Sequence, residues 1–422
     1  MTQVAVVLLP YSKNTPDLRD PEARLNEAVS LTKAIELNVV HSESIAVREI
    51  KAGTYLGQGT IERLADIVEE KKVDVVIMAC TLSPLQQRNL EKAWNTKVID
   101  KTALILEIFG QRARTKEGVL QVELAHLTYA RSRLVRSWTH LERQRGGAGF
   151  LGGPGETQIE LDRRLIDEDI VKIKKELAEV KKTRELHRKA RKRVPYPIVA
   201  LVGYTNAGKS TLFNRLTKAD VFAKDLLFAT LDPTMRQVRL PGGQNIILSD
   251  TVGFISDLPT ELVMAFRATL EEVLEADIII HVRDYSHPDT AAQKEDVEAV
   301  LRDLGLSETV DNGLLEALNK IDMLPEDEKE CVLEKSARHP NEWPICAQNG
   351  EGLDELLSVI QNRLTSGYKQ INIKIPIVDG KGVSLAYRKG QVLERVDRKT
   401  FIKMTVLVNP VDVALFDAYR VE

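Results

Sequence analysis

Between positions 203 and 210 the sequence reads GYTNAGKS, and these residues carry the clearest chemistry in the chain. The run fits the pattern G-x-x-x-x-G-K-[ST], in which glycines let backbone N–H groups turn towards phosphate oxygens. We expect Lys209 to bridge the β- and γ-phosphates of a nucleotide and the Ser210 hydroxyl to bind Mg²⁺. The phosphate-binding residues predicted from this run and the next position are Gly203, Asn206, Ala207, Gly208, Lys209, Ser210 and Thr211.

Two later runs contain the groups that a magnesium-dependent hydrolase needs. Asp250 begins the run DTVG, where its carboxylate can bind Mg²⁺ through water and Gly253 can donate its N–H to the γ-phosphate. Thr230 stands in the run FATLDP, and a threonine in such a loop can bind the ion while triphosphate is present and release it after hydrolysis. The sequence therefore predicts Lys209, Thr230 and Gly253 as catalytic residues, and Ser210, Thr230 and Asp250 as metal ligands.

Further along the chain, a set of polar residues is suited to recognising guanine. The Asp322 carboxylate can accept hydrogen bonds from N1–H and N2–H₂ of guanine, a donor pair that adenine lacks. Asn319 can bond to N7, and the stem of Lys320 can cover the face of the ring. Cys346 and Ala347 follow a strand-like segment, and the N–H of Ala347 could reach O6. This order of motifs predicts GTP and its product GDP as the bound nucleotides.

The elements expected around these residues are those of a doubly wound α/β fold. The phosphate loop follows an apolar strand at 198–202 and opens a helix at 210–216, which is the order that such a loop requires. Strand-like and helical segments then alternate, so we predict a P-loop GTPase domain over 195–368. Arg283 and Glu316 put charges into two of its strands, without an evident partner for either.

Residues 1–110 also alternate between apolar strands and helical stretches, which predicts a small N-terminal α/β domain with a parallel sheet. Gly53, Gly57 and Gly59 form a glycine-rich patch in this region. We interpret the patch as a turn before a helix at Thr60, with a second nucleotide loop as the alternative. The predicted strands are 4–9, 73–79 and 98–100, and the predicted helices are 21–37, 60–72 and 84–94.

Residues 111–194 change to a heptad pattern, which predicts two helices that pack as an antiparallel hairpin. Arg131 is the one break in the apolar seam of the first helix, and the run at 146–155, with six glycines and a proline, cannot continue a helix. We therefore predict a long hairpin with a glycine-rich tip. Residues 172–193 hold eleven Lys/Arg against three Glu, which fits either a solvated coiled-coil face or an arm that contacts RNA phosphates.

Composition sets the general class of the protein. The chain has 422 residues, 29% charged and 43% hydrophobic, which is typical of a multidomain globular protein. Its net charge of −3 means that nucleic-acid binding must depend on a local patch, and its three scattered cysteines indicate neither disulfides nor zinc. No apolar run reaches the roughly 18 residues of a membrane helix. We expect a monomeric cytoplasmic protein whose last residues, 369–422, form a small C-terminal α/β domain with strands at 371–377 and 401–408.

Seven runs along the chain carry a family resemblance. They are GYTNAGKS (203–210), FATLDP (228–233), DTVGFI (250–255), SPLQQRNL (83–90), RART (112–115), QVEL (121–124) and GPGET (153–157). They resemble the motifs of the HflX family of ribosome-associated GTPases, in the translation-factor-related class, over nearly the whole chain. The resemblance implies a GTPase that binds the large ribosomal subunit and, in several members, splits stalled or idle ribosomes. We hypothesise that the basic hairpin at 111–193 contacts the rRNA and that its glycine-rich tip enters an RNA-lined space near the peptidyl-transferase region.

The residue after DTVG bears on the mechanism of hydrolysis. Many GTPases have a glutamine there that orients the attacking water, whereas this chain has Phe254, whose ring cannot position water by hydrogen bonding. We therefore expect slow intrinsic turnover and stimulation by the ribosome. Asn206 suggests K⁺ as an additional charge-neutralising ion, as in some GTPases with this asparagine. Cys346 stands where serine is usual in the family, so we expect a loop that is held less tightly.

Two other functions fit parts of the sequence. One is an RNA-remodelling protein whose N-terminal domain uses ATP at the glycine-rich patch. The other is a GTP-gated assembly clamp, in which hydrolysis is incidental. ATP turnover by residues 1–193 alone would support the first, and ribosome splitting by a Lys209→Ala variant would support the second.

Overall fold

The computed structural model describes residues 3–12, 19–144, 158–191, 196–218, 228, 234–256 and 267–421. The predicted glycine-rich tip at 146–155 and the predicted magnesium ligand Thr230 lie outside the described residues. Within that described part, the strands form three separate sheets that follow one another along the chain. Among the described helices, none combines the length and the apolar surface that crossing a bilayer requires.

The first sheet is parallel throughout, as the sequence predicts. Its strands in the described residues are β1 (Val4–Ser12), β2 (Asn38–Val47), β3 (Val75–Met78) and β4 (Lys97–Asp100), in the order β2-β1-β3-β4. The edge strand β2 is missing from the prediction because its side chains are mostly half-buried and mixed in polarity, so it has no apolar run. The helices that alternate with these strands are α1 (Pro21–Lys33), α2 (Gln58–Glu70), α3 (Pro84–Trp94) and α4 (Lys101–Arg112).

The glycine-rich patch forms a turn and a helix start, in agreement with the interpretation from the sequence. Backbone hydrogen bonds in both directions join Lys51 and Tyr55, at 3.2 and 2.8 Å, and close the turn. Gly57 is the residue that precedes α2 and lies in the extended region at φ −73°. None of Gly53, Gly57 and Gly59 has the positive φ found in the loop at 203–210.

Two long helices, α5 (Lys116–Gln144) and α6 (Gln158–Arg191), occupy the region predicted as a hairpin and pack against each other. Arg131, which interrupts the apolar seam of α5, forms an ion pair with Asp167 of α6, with Nε 2.8 Å from Oδ1. Near the start of α5, Val122 and Ala125 join the hydrophobic core to which α4 also contributes. The base of the hairpin is therefore anchored on the first domain.

The second sheet carries the nucleotide motifs at the ends of its strands. In the described residues it has the order β10-β9-β8-β5-β7-β6, in which the edge strand β6 is antiparallel to β7 and the other pairs are parallel. The strands are β5 (Ile198–Val202), β6 (Thr234–Arg239), β7 (Asn245–Asp250), β8 (Ile278–Asp284), β9 (Leu315–Asn319) and β10 (Glu342–Pro344). The helices are α7 (Lys209–Thr217), α8 (Arg267–Leu274), α9 (Thr290–Asp303), α10 (Ser307–Asp311), α11 (Glu326–Ser336) and α12 (Leu353–Thr365).

The doubly wound α/β architecture predicted from the motifs is confirmed by this sheet. The bounds of β5 are those predicted from the sequence, because this strand is buried on both faces and appears as a continuous apolar run. The antiparallel strand β6 has no such run, since its side chains are mostly exposed or half-buried.

The third sheet is antiparallel and belongs to the C-terminal residues. It contains β11 (Lys369–Pro376), β12 (Gly390–Asp397) and β13 (Phe401–Val408) in the order β11-β13-β12, with α13 (Gly380–Lys389) between β11 and β12 in sequence. Ile371, Ile373 and Ile375 alternate with exposed residues and form one wall of a separate core. This is the α/β composition expected for the end of the chain.

Candidate nucleotide-binding site

The phosphate loop joins the end of β5 to the start of α7, and two glycines shape its backbone. Gly203 has φ +151°, and a Cβ there would lie 2.1 Å from the carbonyl oxygen of Val282 in β8. Gly208 has φ +95°, and its Cβ would lie 2.1 Å from Nδ2 of Asn319. Asn206 lies between them in the left-handed region, at φ +59°. A larger residue at either glycine would push the loop away from the neighbouring strand ends.

Lys209 is the first residue of α7, and its side chain folds back into the loop. It is 6% exposed, and its Nζ donates to the main-chain oxygens of Gly203 at 3.0 Å and Tyr204 at 2.8 Å. Burial lowers the pKa of this ammonium to about 8, against the opposing effect of Asp250. A poorly solvated cation held against neutral carbonyl groups is well placed to bind an anion.

Ser210 and Asp250, which the sequence predicts as magnesium ligands, lie next to each other. Ser210 Oγ donates to Asp250 Oδ2 at 2.7 Å, and Asp250 is fully buried at the end of β7. The next residue, Thr251, donates its hydroxyl to Leu201 O at 2.6 Å and so holds the end of β7 beside β5. A hydroxyl and a carboxylate are hard oxygen donors of the kind that Mg²⁺ prefers, so these two residues fit that ion. Thr211 lies on the exposed side of α7.

The backbone that follows β7 pairs with the phosphate loop. Phe254 N donates to Gly203 O at 3.1 Å, and Phe254 O accepts from Thr205 N at 2.7 Å. A Cβ on Gly253 would lie 2.8 Å from Thr205 Cγ2 and 3.1 Å from Lys209 Nζ, so the close approach depends on glycine. Phe254 is 1% exposed, which places its ring in the core. A buried ring has no means of orienting a water molecule.

Asn319, at the end of β9, ties two loops of the site together. Its Nδ2 donates to Ala207 O at 2.8 Å, and its Oδ1 accepts from Ala347 N at 2.9 Å. The N–H of Ala347, which we expected at guanine O6, is therefore directed to Asn319 in this structure. The amide nitrogen of Asn319 has a second N–H with which to contact N7 of guanine.

The predicted guanine-binding residues Lys320, Asp322 and Cys346 follow the ends of the neighbouring strands β9 and β10. Lys320 has φ +67°, and its Nζ is 2.6 Å from Asp284 Oδ2. Asp322 is exposed, whereas Cys346 is buried. Burial and a hydrogen bond to Asp322 raise the pKa of the Cys346 thiol, and Asn349 N donates to its Sγ at 3.5 Å. The buried thiol therefore lies beside the carboxylate that is expected to recognise guanine.

A set of contacts beside the site has no counterpart in the sequence prediction. Tyr204 of the phosphate loop contacts Ser256, which in turn contacts Glu27 of α1 and Lys101 of α4. A cavity of about 420 Å³ lies beside these residues, between α1 and the phosphate loop. Contacts between residues so distant in the chain leave no local pattern in a single sequence, so no signal there could have indicated them.

Three family models match successive parts of the chain: GTP-binding GTPase N-terminal over 22–110, GTP-binding GTPase Middle Region over 112–191, and 50S ribosome-binding GTPase over 198–320. GTPase HflX of Magnetococcus marinus is 49% identical over 386 residues, which cover 92% of this chain and 88% of that protein. The chain belongs to the HflX family of GTPases. The family resemblance inferred from the motifs is confirmed.

GTPase HflX of Escherichia coli is 46% identical over 79% of this chain and 77% of its own length. Among solved structures, a GTP-binding protein from Sulfolobus solfataricus in complex with GDP aligns with 86% of this chain and 99% of its own, at 24% identity and a TM-score of 0.45. As a member of the HflX family, the chain is a GTPase that binds GTP and GDP, in a ribosome-associated family.

Proposed function

We propose that this HflX GTPase binds the large ribosomal subunit and separates the subunits of stalled or idle ribosomes, with GTP hydrolysis stimulated by the ribosome. The observation that carries the proposal is a nucleotide site joined in one chain to a pair of long helices with a strong local excess of Lys and Arg. Such charge binds RNA phosphates by releasing counterions. The 50S ribosome-binding GTPase model over 198–320 supports the large subunit as the partner.

At the phosphates, Lys209 has the central role in this proposal. Its ammonium is poorly solvated in the loop and would pair with the negative charge of the β- and γ-phosphates. It would also stabilise the charge that develops during phosphoryl transfer. The backbone N–H groups of residues 203–211 and the start of α7 would supply further donors. Gly253 would donate its N–H to the γ-phosphate and so make the segment after β7 sensitive to triphosphate.

Ser210 and Asp250 would hold Mg²⁺, with Thr230 as a further ligand when triphosphate is bound. The ion neutralises charge on the phosphates when it is present. The buried position of Asp250 at the end of β7 and the hydroxyl of Ser210 at the start of α7 fix the two oxygens on which this depends. K⁺ near Asn206 would add a second cation close to the phosphates.

At the guanine base, Asp322 would accept from N1–H and N2–H₂, Asn319 would bond to N7, and Lys320 would cover the ring. Cys346 and Ala347 would form the wall of the base site, and the Cys346 thiol would lie beside Asp322. An adenine would leave the Asp322 carboxylate facing a ring without the matching donors, which is costly for a charged group. The geometry therefore favours GTP over ATP.

The hairpin supplies the contact with rRNA in this proposal. Lys172, Lys174, Lys175 and Lys182 are exposed along α6, while Ile173 is buried. Cations on the outer side of a packed helix can reach phosphates without disturbing its core side. The glycine-rich tip at 146–155 would enter the narrow space near the peptidyl-transferase region, where larger side chains would collide with RNA.

GTP turnover with and without purified large ribosomal subunits tests the proposal, with ATP as the control nucleotide. We expect strong stimulation of GTP turnover and no ATP turnover in either condition. Light scattering of intact ribosomes then reports splitting, and deletion of residues 146–155 should abolish it while leaving GTP affinity unchanged. Unstimulated turnover, or splitting that survives the deletion, would contradict the proposal. Splitting by a Lys209→Ala variant would favour the assembly clamp instead.

A further inference from the structure

Lys101, the first residue of α4, reaches from the N-terminal domain into the nucleotide-binding part of the chain. Its Nζ donates to Ser256 O at 2.9 Å and to Ser256 Oγ at 2.7 Å. Ser256 is buried and belongs to residues 250–256, which we call the DTVG segment. Ser256 Oγ also lies 3.1 Å from Glu27 Oε2 of α1. A largely buried cation thus connects two helices of the first domain to the DTVG segment.

Ser256 is also held to the phosphate loop. Its N–H donates to the hydroxyl oxygen of Tyr204 at 2.5 Å, and Tyr204 is itself buried. Burial and the nearby Glu27 carboxylate raise the pKa of Tyr204, so the phenol stays protonated. Earlier in the same segment, Phe254 pairs with this loop through its backbone. A displacement of Gly253 relative to the γ-phosphate would therefore also move Ser256.

Asp100, the residue before Lys101, points towards the hairpin. It is fully buried, and it accepts from Arg133 Nη2 of α5 at 2.6 Å and from the Tyr129 hydroxyl at 2.9 Å. Arg133 Nη1 additionally donates to Leu82 O at 2.9 Å. Separation of a buried pair with this many hydrogen bonds would leave a charge uncompensated, which is strongly unfavourable. The base of α5 and the start of α4 are therefore held together.

We propose that Lys101 is the positioning residue through which the hairpin and the DTVG segment respond to each other. Asp100 and Lys101 are adjacent at the start of one helix, so a shift of α5 on RNA displaces both and thereby moves Ser256. RNA bound to the hairpin changes the affinity for a nucleotide that carries the γ-phosphate by some factor. By linkage, that nucleotide changes the affinity of the hairpin for RNA by the same factor. This inference rests on the proposed function, because it takes rRNA as the ligand of the hairpin.

The first test measures GTP turnover of full-length variants with and without large ribosomal subunits. Lys101→Met removes the charge and keeps most of the length of the side chain, and Lys101→Arg keeps the charge. Lys97→Met, at an exposed lysine of β4, is the matched control. We expect Lys101→Met to lower the stimulation about tenfold, with GDP affinity within about twofold of the parent, and Lys101→Arg to restore most of it. Full stimulation in Lys101→Met would overturn the inference.

A second test needs no ribosome and separates the inference from the proposed function. Hydrogen exchange at the amides of residues 254–256 should be faster in Lys101→Met. It should also be faster in Arg133→Met, although Arg133 contacts Asp100, at the hairpin end of this series of contacts. Tyr129→Phe, which removes one bond to Asp100, replaces Arg133→Met if that variant does not fold. Unchanged exchange in the α5 variants would disprove the connection even if the ribosome stimulates turnover. Faster exchange without ribosomal stimulation of the parent would uphold the connection and reject the proposed function.

Discussion

Arg283 of β8 and Glu316 of β9 form an ion pair in the central sheet, with Nη1 2.6 Å from Oε2. These are the two charges that interrupt the apolar pattern of their strands. Lys294 of α9 adds a second cation, with Nζ 2.5 Å from Glu316 Oε1. Burial by itself would raise the pKa of Glu316, but the bonds from Lys294 and Arg283 outweigh it and lower the pKa. The charged carboxylate therefore holds α9 on the sheet.

The Glu316→Gln variant should lower the free energy of unfolding by about 3 kcal/mol, because it leaves two cations without their counter-charge in a largely buried place. Urea unfolding followed by circular dichroism measures the loss. Arg302→Gln is the matched control, since it breaks more exposed pairs with Glu298 and Asp311 and should cost no more than about 1 kcal/mol. Equal losses in the two variants would show that the buried network stabilises no more than a surface pair.

His281 makes the stability of the protein depend on pH. Burial lowers its pKa to about 3, with a smaller opposing effect from Glu316. The unfolded chain takes up a proton below roughly pH 6.5, whereas the folded protein does not, so this contribution to stability is intact above that pH and is lost as the pH falls towards 3.

Between pH 6 and 5, the free energy of unfolding of the parent should therefore fall more steeply than that of His281→Gln, by up to about 1.4 kcal/mol per pH unit. Urea unfolding at closely spaced pH values measures both slopes, and most carboxylates stay ionised in this window. His339→Gln, at an exposed histidine, should keep the parent slope. If His281→Gln also keeps the parent slope, burial does not hinder protonation of the imidazole and the prediction is wrong.

Asp322→Asn should weaken GTP binding on the order of 100-fold or more. The carboxylate can accept two hydrogen bonds from guanine, whereas the amide replaces one of its acceptor oxygens with a donor nitrogen. Xanthosine triphosphate, which has an oxygen in place of the guanine amino group, should bind better to the variant than to the parent. Competition with a fluorescent GDP analogue measures both affinities. Asp327→Asn, an exposed change in α11, should leave them unchanged; parent-like GTP affinity in Asp322→Asn would remove this carboxylate from the base site.

Cys346→Ser and Cys346→Val should differ in nucleotide affinity, because serine can donate to Asp322 and valine cannot. We expect Cys346→Ser to bind GDP at least as tightly as the parent and Cys346→Val to bind about tenfold more weakly. Cys331→Val, at an exposed cysteine, controls for loss of a thiol. Equal affinity in all three variants would mean that Asp322 holds its position without the sulfur.

Asn206 leads to a prediction about monovalent ions. If its amide oxygen helps to bind K⁺ next to the phosphates, GTP turnover should be faster in K⁺ than in Na⁺ buffer of the same ionic strength, and Asn206→Ala should abolish the difference. Steady-state phosphate release measures the rates. Equal rates of the parent in the two buffers would eliminate K⁺ as a participant.

The sequence predicted those features whose chemistry lies within a short run of residues. GYTNAGKS and DTVG specified the phosphate loop and the loop after β7, and the buried strand β5 was recognisable as an apolar run. The edge strand β2 was not predicted, because mixed polarity on a half-buried strand resembles a loop. The pairing of Arg283 with Glu316 was also missed, since register between strands decides which charges meet and a single sequence does not encode register locally.

The two hydrogen bonds of Asn319 have a consequence for how a nucleotide assembles its contacts. One bond goes to the phosphate loop and the other to the loop beside the base, so ordering either loop reduces the conformational freedom of the other. Guanosine and pyrophosphate, offered as separate fragments, should therefore bind cooperatively rather than independently. The affinity of the intact nucleotide then includes a free-energy contribution from Asn319 that neither fragment obtains when it binds alone.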